Sequence, residues 1–178
     1  MLRGRVLDTL GRHAEAQAAF EATLQLPGGS RQRLAYARWF NAVWRHDFAA
    51  ARELAAEMAP AEHFRESYLA VTEALVDPSR WPQAEPFIEA SEKASGHYNF
   101  LRPFQPDPDR ASIIAALDDA LTNRVSSYHL LIWNHENAAL RRDPAFQESL
   151  RRTGILDYWR SHGWPPQCTP DGDGARCD

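Results

Sequence analysis

A three-position pattern recurs along the first half of the chain with spacings of 35 and 33 residues. Each copy opens on a ring residue, has alanine three positions later, and has another apolar residue four positions beyond the alanine. The three copies are His13–Ala16–Phe20, Phe48–Ala51–Ala55 and Trp81–Ala84–Ile88. Offsets of three and four residues lie on one helix face. A fixed period of this size predicts an array of stacked helical units.

A second helical stretch precedes each copy, so the repeating unit is a pair of helices. These first helices are predicted over 1–10, 31–45 and 61–76. The helical hairpins are therefore predicted at 1–28, 31–60 and 61–95. Beyond the array we predict an extended crossover rich in aromatic residues and proline, then capping helices, then a short helix with an irregular tail. Their ranges are 96–108, 109–156 and 157–178.

The composition agrees with an all-α fold and limits the function. Hydrophobic residues make up 44% and charged residues 25%, which is typical of a globular chain. The net charge of −4 argues against a nucleic-acid partner for this chain. No apolar run approaches the roughly 20 residues of a membrane-spanning helix. An irregular helical bundle with accidental alanine spacing is the competing interpretation of the fold.

The pattern resembles the tetratricopeptide repeat (TPR), a helical hairpin that stacks into a superhelix. In the first copy, the small, large and turn positions of that family are occupied by Gly4, Leu7, Leu10, Gly11, Ala16 and Phe20. Later copies depart from the family pattern. Trp39 occupies a small-residue position, His46 replaces the turn glycine, and Pro86 lies inside the second helix of the third pair.

A second resemblance covers residues 116–178. The segment 140–155, with its Asp143-Pro144 helix start, is similar to the closing repeat of bacterial regulators that carry TPR regions. These include membrane-anchored winged-helix regulators of the CadC type and cyclases with repeat arrays. The resemblance implies the C-terminal part of a larger bacterial regulator. The same array follows different output domains in these regulators. The resemblance therefore implies the repeat module for this chain and not the chemistry of any output domain.

An aromatic face is predicted on the first helix of the second pair, where Tyr36, Phe40 and Trp44 follow one another at offsets of four residues. The TPR resemblance implies a concave groove for a protein or peptide, lined by the first helices. Its groove-facing positions are Arg33, Tyr36, Phe40, Trp44, Glu66, Leu69 and Glu73. The rings would anchor the partner and the charges would orient it. Alternatively, the rings bury the chain's own segment 98–104 or its tryptophan-rich tail.

No catalytic motif is found. His135-Glu136 lacks the second histidine of a zinc-protease helix, and Asp171-Gly-Asp173 begins too near the chain end for a calcium loop. We therefore expect no enzyme activity, no cofactor and no metal, and predict a protein-interaction or sensory module. One alternative is a small-ligand-binding or enzyme domain with a pocket near Trp133 and His135. Another is a self-assembly scaffold that associates through the incomplete first repeat.

The two cysteines, Cys168 and Cys177, lie close to the chain end with eight residues between them. A zinc site needs further soft ligands, and only His162 is near in sequence. The pair is therefore interpreted as a disulfide, with two free thiols as the alternative. A disulfide together with an upstream anchor indicates the periplasm, and otherwise we expect the cytoplasm.

Overall fold

The computed structural model of the chain describes residues 2–58, 64–95, 101–122, 133 and 137–177. Most of this part of the chain is helical, as the sequence predicts. The chain divides into two compact units, Met1–Pro106 and Asp107–Asp178.

The described part of the first unit contains six α-helices. They are α1 (Leu2–Thr9), α2 (His13–Leu24), α3 (Arg31–Trp44), α4 (Phe48–Glu57), α5 (Phe64–Val76) and α6 (Trp81–Ser95). Each helix packs against the next one along the chain. The ring residues of the recurring pattern, His13, Phe48 and Trp81, are the first residues of α2, α4 and α6. The recurrence in the sequence therefore marks equivalent helix starts.

The small residues of the recurring pattern lie in the interior. Ala16, Ala51 and Ala84 are completely buried, as are the apolar residues four positions after them. Gly4 shows how close the first helix pair is, since a Cβ atom there would lie 2.4 Å from the Phe20 ring. Real side chains do not approach so closely. The sizes of these side chains therefore control the contact between paired helices.

The turns within the first two helix pairs have the same geometry. Gly11 and His46 both have a positive φ, of 71° and 58°. In the first turn the amides of Gly11 and Arg12 donate to carbonyls three and five residues back, and the amides of His46 and Asp47 do the same in the second. This is the hydrogen-bonding pattern of a Schellman cap, which favours glycine at the position of positive φ. His46 therefore adopts a conformation that costs a side-chain-bearing residue roughly 1–2 kcal/mol.

Two buried hydrogen bonds join residues that are 33 positions apart. Trp39 Nε1 donates to Thr72 Oγ1 at 2.8 Å, and Asn41 Nδ2 donates to Asp8 Oδ1 at 2.6 Å. Trp39 is fully buried, and its ring meets that of Tyr68 edge to face, with 4.8 Å between the ring centres. Buried polar groups need such partners. The bonds consequently fix the register of one helix pair against the next.

The second unit is built from three helices and a β-hairpin in its described part. The helices are α7 (Arg110–Thr122), α8 (Pro144–Arg152) and α9 (Ile155–His162). Asp143 caps α8 by accepting a hydrogen bond from the amide of Ala145 at 2.9 Å, which confirms the predicted aspartate-proline start. Gly154, with φ of 75°, separates α8 from α9.

The prediction of an irregular tail is wrong for residues 168–177. Strands β1 (Cys168–Asp171) and β2 (Gly174–Cys177) form an antiparallel hairpin in which Cys168 pairs with Cys177. The cysteines form a disulfide, with an S–S distance of 2.11 Å. A search for helical offsets of three and four residues does not detect this hairpin. It is held together by cross-strand pairing, a two-residue turn and a covalent bond. Gln147 Oε1 on α8 accepts a hydrogen bond from the amide of Ala175.

Replacing His46 by glycine is expected to raise the free energy of unfolding by up to about 1 kcal/mol. The free energy gained by relieving the positive φ exceeds the free-energy cost of the greater conformational entropy that glycine gives the unfolded chain. Gly11→Ala, at the equivalent turn, is expected to lower it by about 1 kcal/mol. Urea unfolding followed by circular dichroism measures both. A loss of stability in His46→Gly would contradict the equivalence of the turns.

Removing the disulfide through Cys168→Ser and Cys177→Ser is expected to destabilise the second unit by about 2–3 kcal/mol. The bridge closes a short loop and so restricts the unfolded chain. Thermal unfolding with and without reductant measures the effect. Reductant should lower the midpoint temperature of unfolding of the natural chain and leave that of the double variant unchanged. Equal midpoint temperatures for all four samples would refute a stabilising role of the disulfide.

Candidate functional site

The central ring of the predicted aromatic face lies in the core. Phe40 is 4% exposed, and its ring lies 5.5 Å from the ring of Trp44 and 5.9 Å from that of Phe104. Phe104 comes from the predicted crossover, where residues Arg102–Phe104 form a 3-10 turn. The chain's own side chain therefore covers this part of the face, so that Phe40 contributes to packing.

Charged side chains hold the crossover turn against α6. Arg102 donates through Nε and Nη2 to the two carboxylate oxygens of Glu92, at 3.0 and 2.7 Å, and also pairs with Glu85. These bonds raise the pKa of the Arg102 guanidinium above its ordinary value. Leu101, next to it, is fully buried in the core. The clamp thus keeps Phe104 on the aromatic face.

The two outer rings of that face take part in packing between α1, α2 and α3. Tyr36 is partly buried; Arg5 donates to its hydroxyl at 3.4 Å, with the guanidinium 5.6 Å from the ring centre. Trp44 is also partly buried and lies 6.2 Å from the ring of His13. The Arg33 side chain lies outside the described residues, as do Tyr98 and Phe100 of the crossover.

The other predicted groove residues meet in one place. Glu66, Leu69 and Glu73 of α5 line a cavity of about 440 Å³ that is open to solvent, which we call the α5–α6 groove. Its other lining residues are Ala84 of the recurring pattern and five that the sequence did not single out, Arg52, Ala70, Arg80, Gln83 and Phe87. The groove thus combines side chains of α4, α5, α6 and the turn before α6. None of the three aromatic residues of α3 lines it.

One end of the groove carries a closed ion-pair network. Glu73 Oε1 lies 3.0 Å from Arg52 Nε, and Glu73 Oε2 lies 2.6 Å from Arg80 Nη1. Each oxygen of this carboxylate therefore has its own arginine. Such exposed pairs add little stability, between about 0 and 1 kcal/mol each. Their effect here is to neutralise Glu73 and to connect α4 with the start of α6.

Glu66 has a different environment. Its Oε2 atom is buried and has no hydrogen-bond partner within the described part of the chain. Glu73 follows Glu66 by seven positions, so their Cα atoms lie about 10 Å apart along the helix axis. Leu69 and Ala70 lie between them on α5. The groove consequently has an acidic end, an apolar middle and an end where two arginines outweigh one glutamate.

The most exposed apolar group of the groove is Phe87. This side chain on α6 is 43% exposed, whereas Ala84 and Ile88 of the same helix are fully buried. Phe87 follows Ala84 by three residues, an offset that places the two on neighbouring positions of the helix surface. This spacing is the sequence signal from which Phe87 could have been predicted to lie at the groove. For Arg52 and Arg80 no local signal exists, because their pairing with Glu73 depends on how three helices pack.

The alternative pocket near Trp133 and His135 is described in part. The Trp133 ring lies 6.0 Å from that of Trp159, with the Arg141 guanidinium 5.9 Å from its centre. His135 lies outside the described residues. A separate cavity of about 360 Å³ lies in the second unit, and Trp133 does not line it. Its lining residues are Arg142, Gln147, Arg151, Asp171, Asp173, Gly174, Ala175, Arg176 and Cys177.

Among the described residues, no group of three histidine, cysteine, aspartate or glutamate side chains is arranged to hold a metal ion. No helix in the same part of the chain has the length and apolar character needed to cross a membrane. No protein-family model matches the sequence, and neither a curated protein nor a solved structure shows significant similarity to it.

Phe40→Ala is expected to lower the free energy of unfolding by about 3–5 kcal/mol, because it leaves a cavity beneath Phe104. Phe87→Ala removes the same ring from an exposed position and should cost less than about 1 kcal/mol. Chemical denaturation of the two variants measures the difference. A similar loss in both would contradict the division between the packed aromatic face and the open groove.

Proposed function

We propose that the first unit is a TPR-like protein-interaction module that binds a segment of a partner protein in the α5–α6 groove. One observation carries this proposal: Glu66, Leu69 and Glu73, predicted to face a partner, meet the exposed Phe87 in a single open cavity. An apolar centre with a charged rim is typical of the energetically important part of a protein interface.

The repeat features support the TPR-like part of the proposal. The second helix of each pair carries a fully buried alanine at the same position, and two successive turns share one hydrogen-bonding pattern. Hydrogen bonds between residues 33 positions apart connect neighbouring pairs. An array of this kind presents helix faces side by side, and such a surface suits an extended or helical peptide.

The proposal extends to the place of the module in the cell. We propose that the chain is the C-terminal, sensory part of a larger bacterial regulator, and that partner binding is passed to an output domain. The resemblance over residues 116–178 to the closing repeat of such regulators supports this part of the proposal. The disulfide between Cys168 and Cys177 favours an oxidising compartment such as the periplasm.

Peptide selection tests the groove even though the partner is unidentified. A phage library displaying random 12-residue peptides would be selected on the immobilised full chain, and the enriched peptides would be synthesised and labelled. Fluorescence anisotropy then gives their affinities for the natural chain and for variants. Phe87→Ala is expected to weaken binding at least tenfold, because Phe87 is the largest exposed apolar group of the groove.

Tyr158→Ala provides the matched control. Tyr158 is also an exposed aromatic residue, at 58%, but belongs to α9 in the second unit. Its replacement should leave the affinity unchanged. Enriched peptides that bind Phe87→Ala as well as the natural chain would refute the groove as the binding site. Sedimentation of the natural chain checks the self-assembly alternative, for which a dimer or larger species in the absence of peptide is expected.

A further inference from the structure

We infer that the partner segment places a positively charged side chain, arginine or lysine, against Glu66, with an apolar side chain beside it on Leu69 and Phe87. This inference rests on the proposed function, since it names the chemistry of the segment that the α5–α6 groove binds. It predicts a basic, partly apolar peptide.

The two carboxylates of the groove differ in whether an arginine of the chain already pairs with them. Glu73 is paired through both oxygens, with Arg52 at 3.0 Å and Arg80 at 2.6 Å. A cation from a partner would have to displace one of these arginines. Glu66 is the other carboxylate among the described lining residues, and its buried Oε2 has no hydrogen-bond partner there. The attractive position for a cation is therefore the Glu66 end.

A buried carboxylate oxygen without a donor is unfavourable, because it has lost water and gained nothing in return. A guanidinium or ammonium group placed in the groove against Glu66 supplies the opposite charge. Arginine suits this position, since it offers several donors in one planar group. The partner's cation would thus compensate the charge of a carboxylate whose buried Oε2 has no hydrogen-bond partner among the described residues.

The apolar requirement follows from the neighbours of Glu66. Leu69 lies three residues further along α5, on the same helix face, and Phe87 faces the groove from α6. The aliphatic part of a bound arginine or lysine packs well on such groups while its charged head reaches the carboxylate. An adjacent apolar residue of the partner would cover the exposed Phe87 ring.

Glu66 also lies in the first turn of α5, where a carboxylate favours the helix through the helix dipole. This role makes a separate prediction. If Glu66→Gln acts only by destabilising α5, the variant should melt at a lower temperature. It should then weaken the binding of every groove ligand equally, whatever the charge of the ligand. The experiment must therefore vary the charge on both sides of the contact.

The test is a double-mutant cycle on the full chain. The probe is the tightest peptide from the random 12-residue library, compared with a copy in which its arginine is replaced by citrulline, a neutral residue of nearly the same shape. A selected lysine would be replaced by acetyl-lysine. Glu66→Gln is the protein variant, and Glu89→Gln on the exposed side of α6 is the matched control.

The inference expects enriched peptides to share a basic residue next to an apolar one. Citrulline should weaken binding to the natural chain about tenfold, and Glu66→Gln should weaken binding of the arginine peptide to the same extent. The citrulline peptide should bind Glu66→Gln and the natural chain equally, while Glu89→Gln changes neither affinity. The melting temperature of Glu66→Gln, measured in parallel, should stay within a few degrees of the natural value.

Three results would overturn the inference. Peptides that need Phe87 but bind Glu66→Gln unchanged would refute the cation contact and leave the proposed function intact. Equal weakening of the arginine and citrulline peptides, with an earlier melt, would assign Glu66 to the stability of α5 alone. Failure to enrich any peptide that depends on Phe87 would refute the proposed function and the inference together.

Discussion

The close contact between paired helices is the constraint on which the first unit depends. Ala16, Ala51 and Ala84 are completely buried, and a Cβ atom on Gly4 would collide with the Phe20 ring. Small side chains let the helix backbones approach, and the larger side chains on either side then interlock at the density of a protein interior. Because each pair packs against the next, these contacts also determine where the exposed faces of α5 and α6 meet.

The crossover turn decides which part of the array stays open. Arg102 binds Glu85 and Glu92 on α6 and so holds Phe104 against Phe40, which closes the aromatic face of α3. A ring that is already covered cannot anchor a partner without unfolding this turn. Binding chemistry is thereby left to the groove between α5 and α6. Among its described lining residues are an exposed aromatic ring and a carboxylate that lacks a hydrogen-bond partner at one oxygen.

Sequence reasoning located the helices better than it located the site. The ring residues of the recurring pattern proved to be helix starts, and His46 adopts a positive φ as Gly11 does. Of the predicted groove-facing set, Glu66, Leu69 and Glu73 share one cavity. The aromatic residues of α3 do not line it, because the covering side chain comes from a distant segment that carries no helical pattern. Similarly, the hairpin at 168–177 depends on cross-strand pairing, which helical periodicity does not report.

The sequence alone determined the mostly helical character, the helix pairs and the positions of their turns. These features depend on offsets of three, four and about 34 residues, which are read directly from the order of the side chains. Only the tertiary structure decided that Arg52 and Arg80 pair with Glu73, that Phe104 covers Phe40, and that Phe87 stays exposed in the cavity that Glu66 also lines. The physical reason is that pairing and covering require two groups to be close in space, and helix packing brings together residues whose separation in sequence follows no local rule.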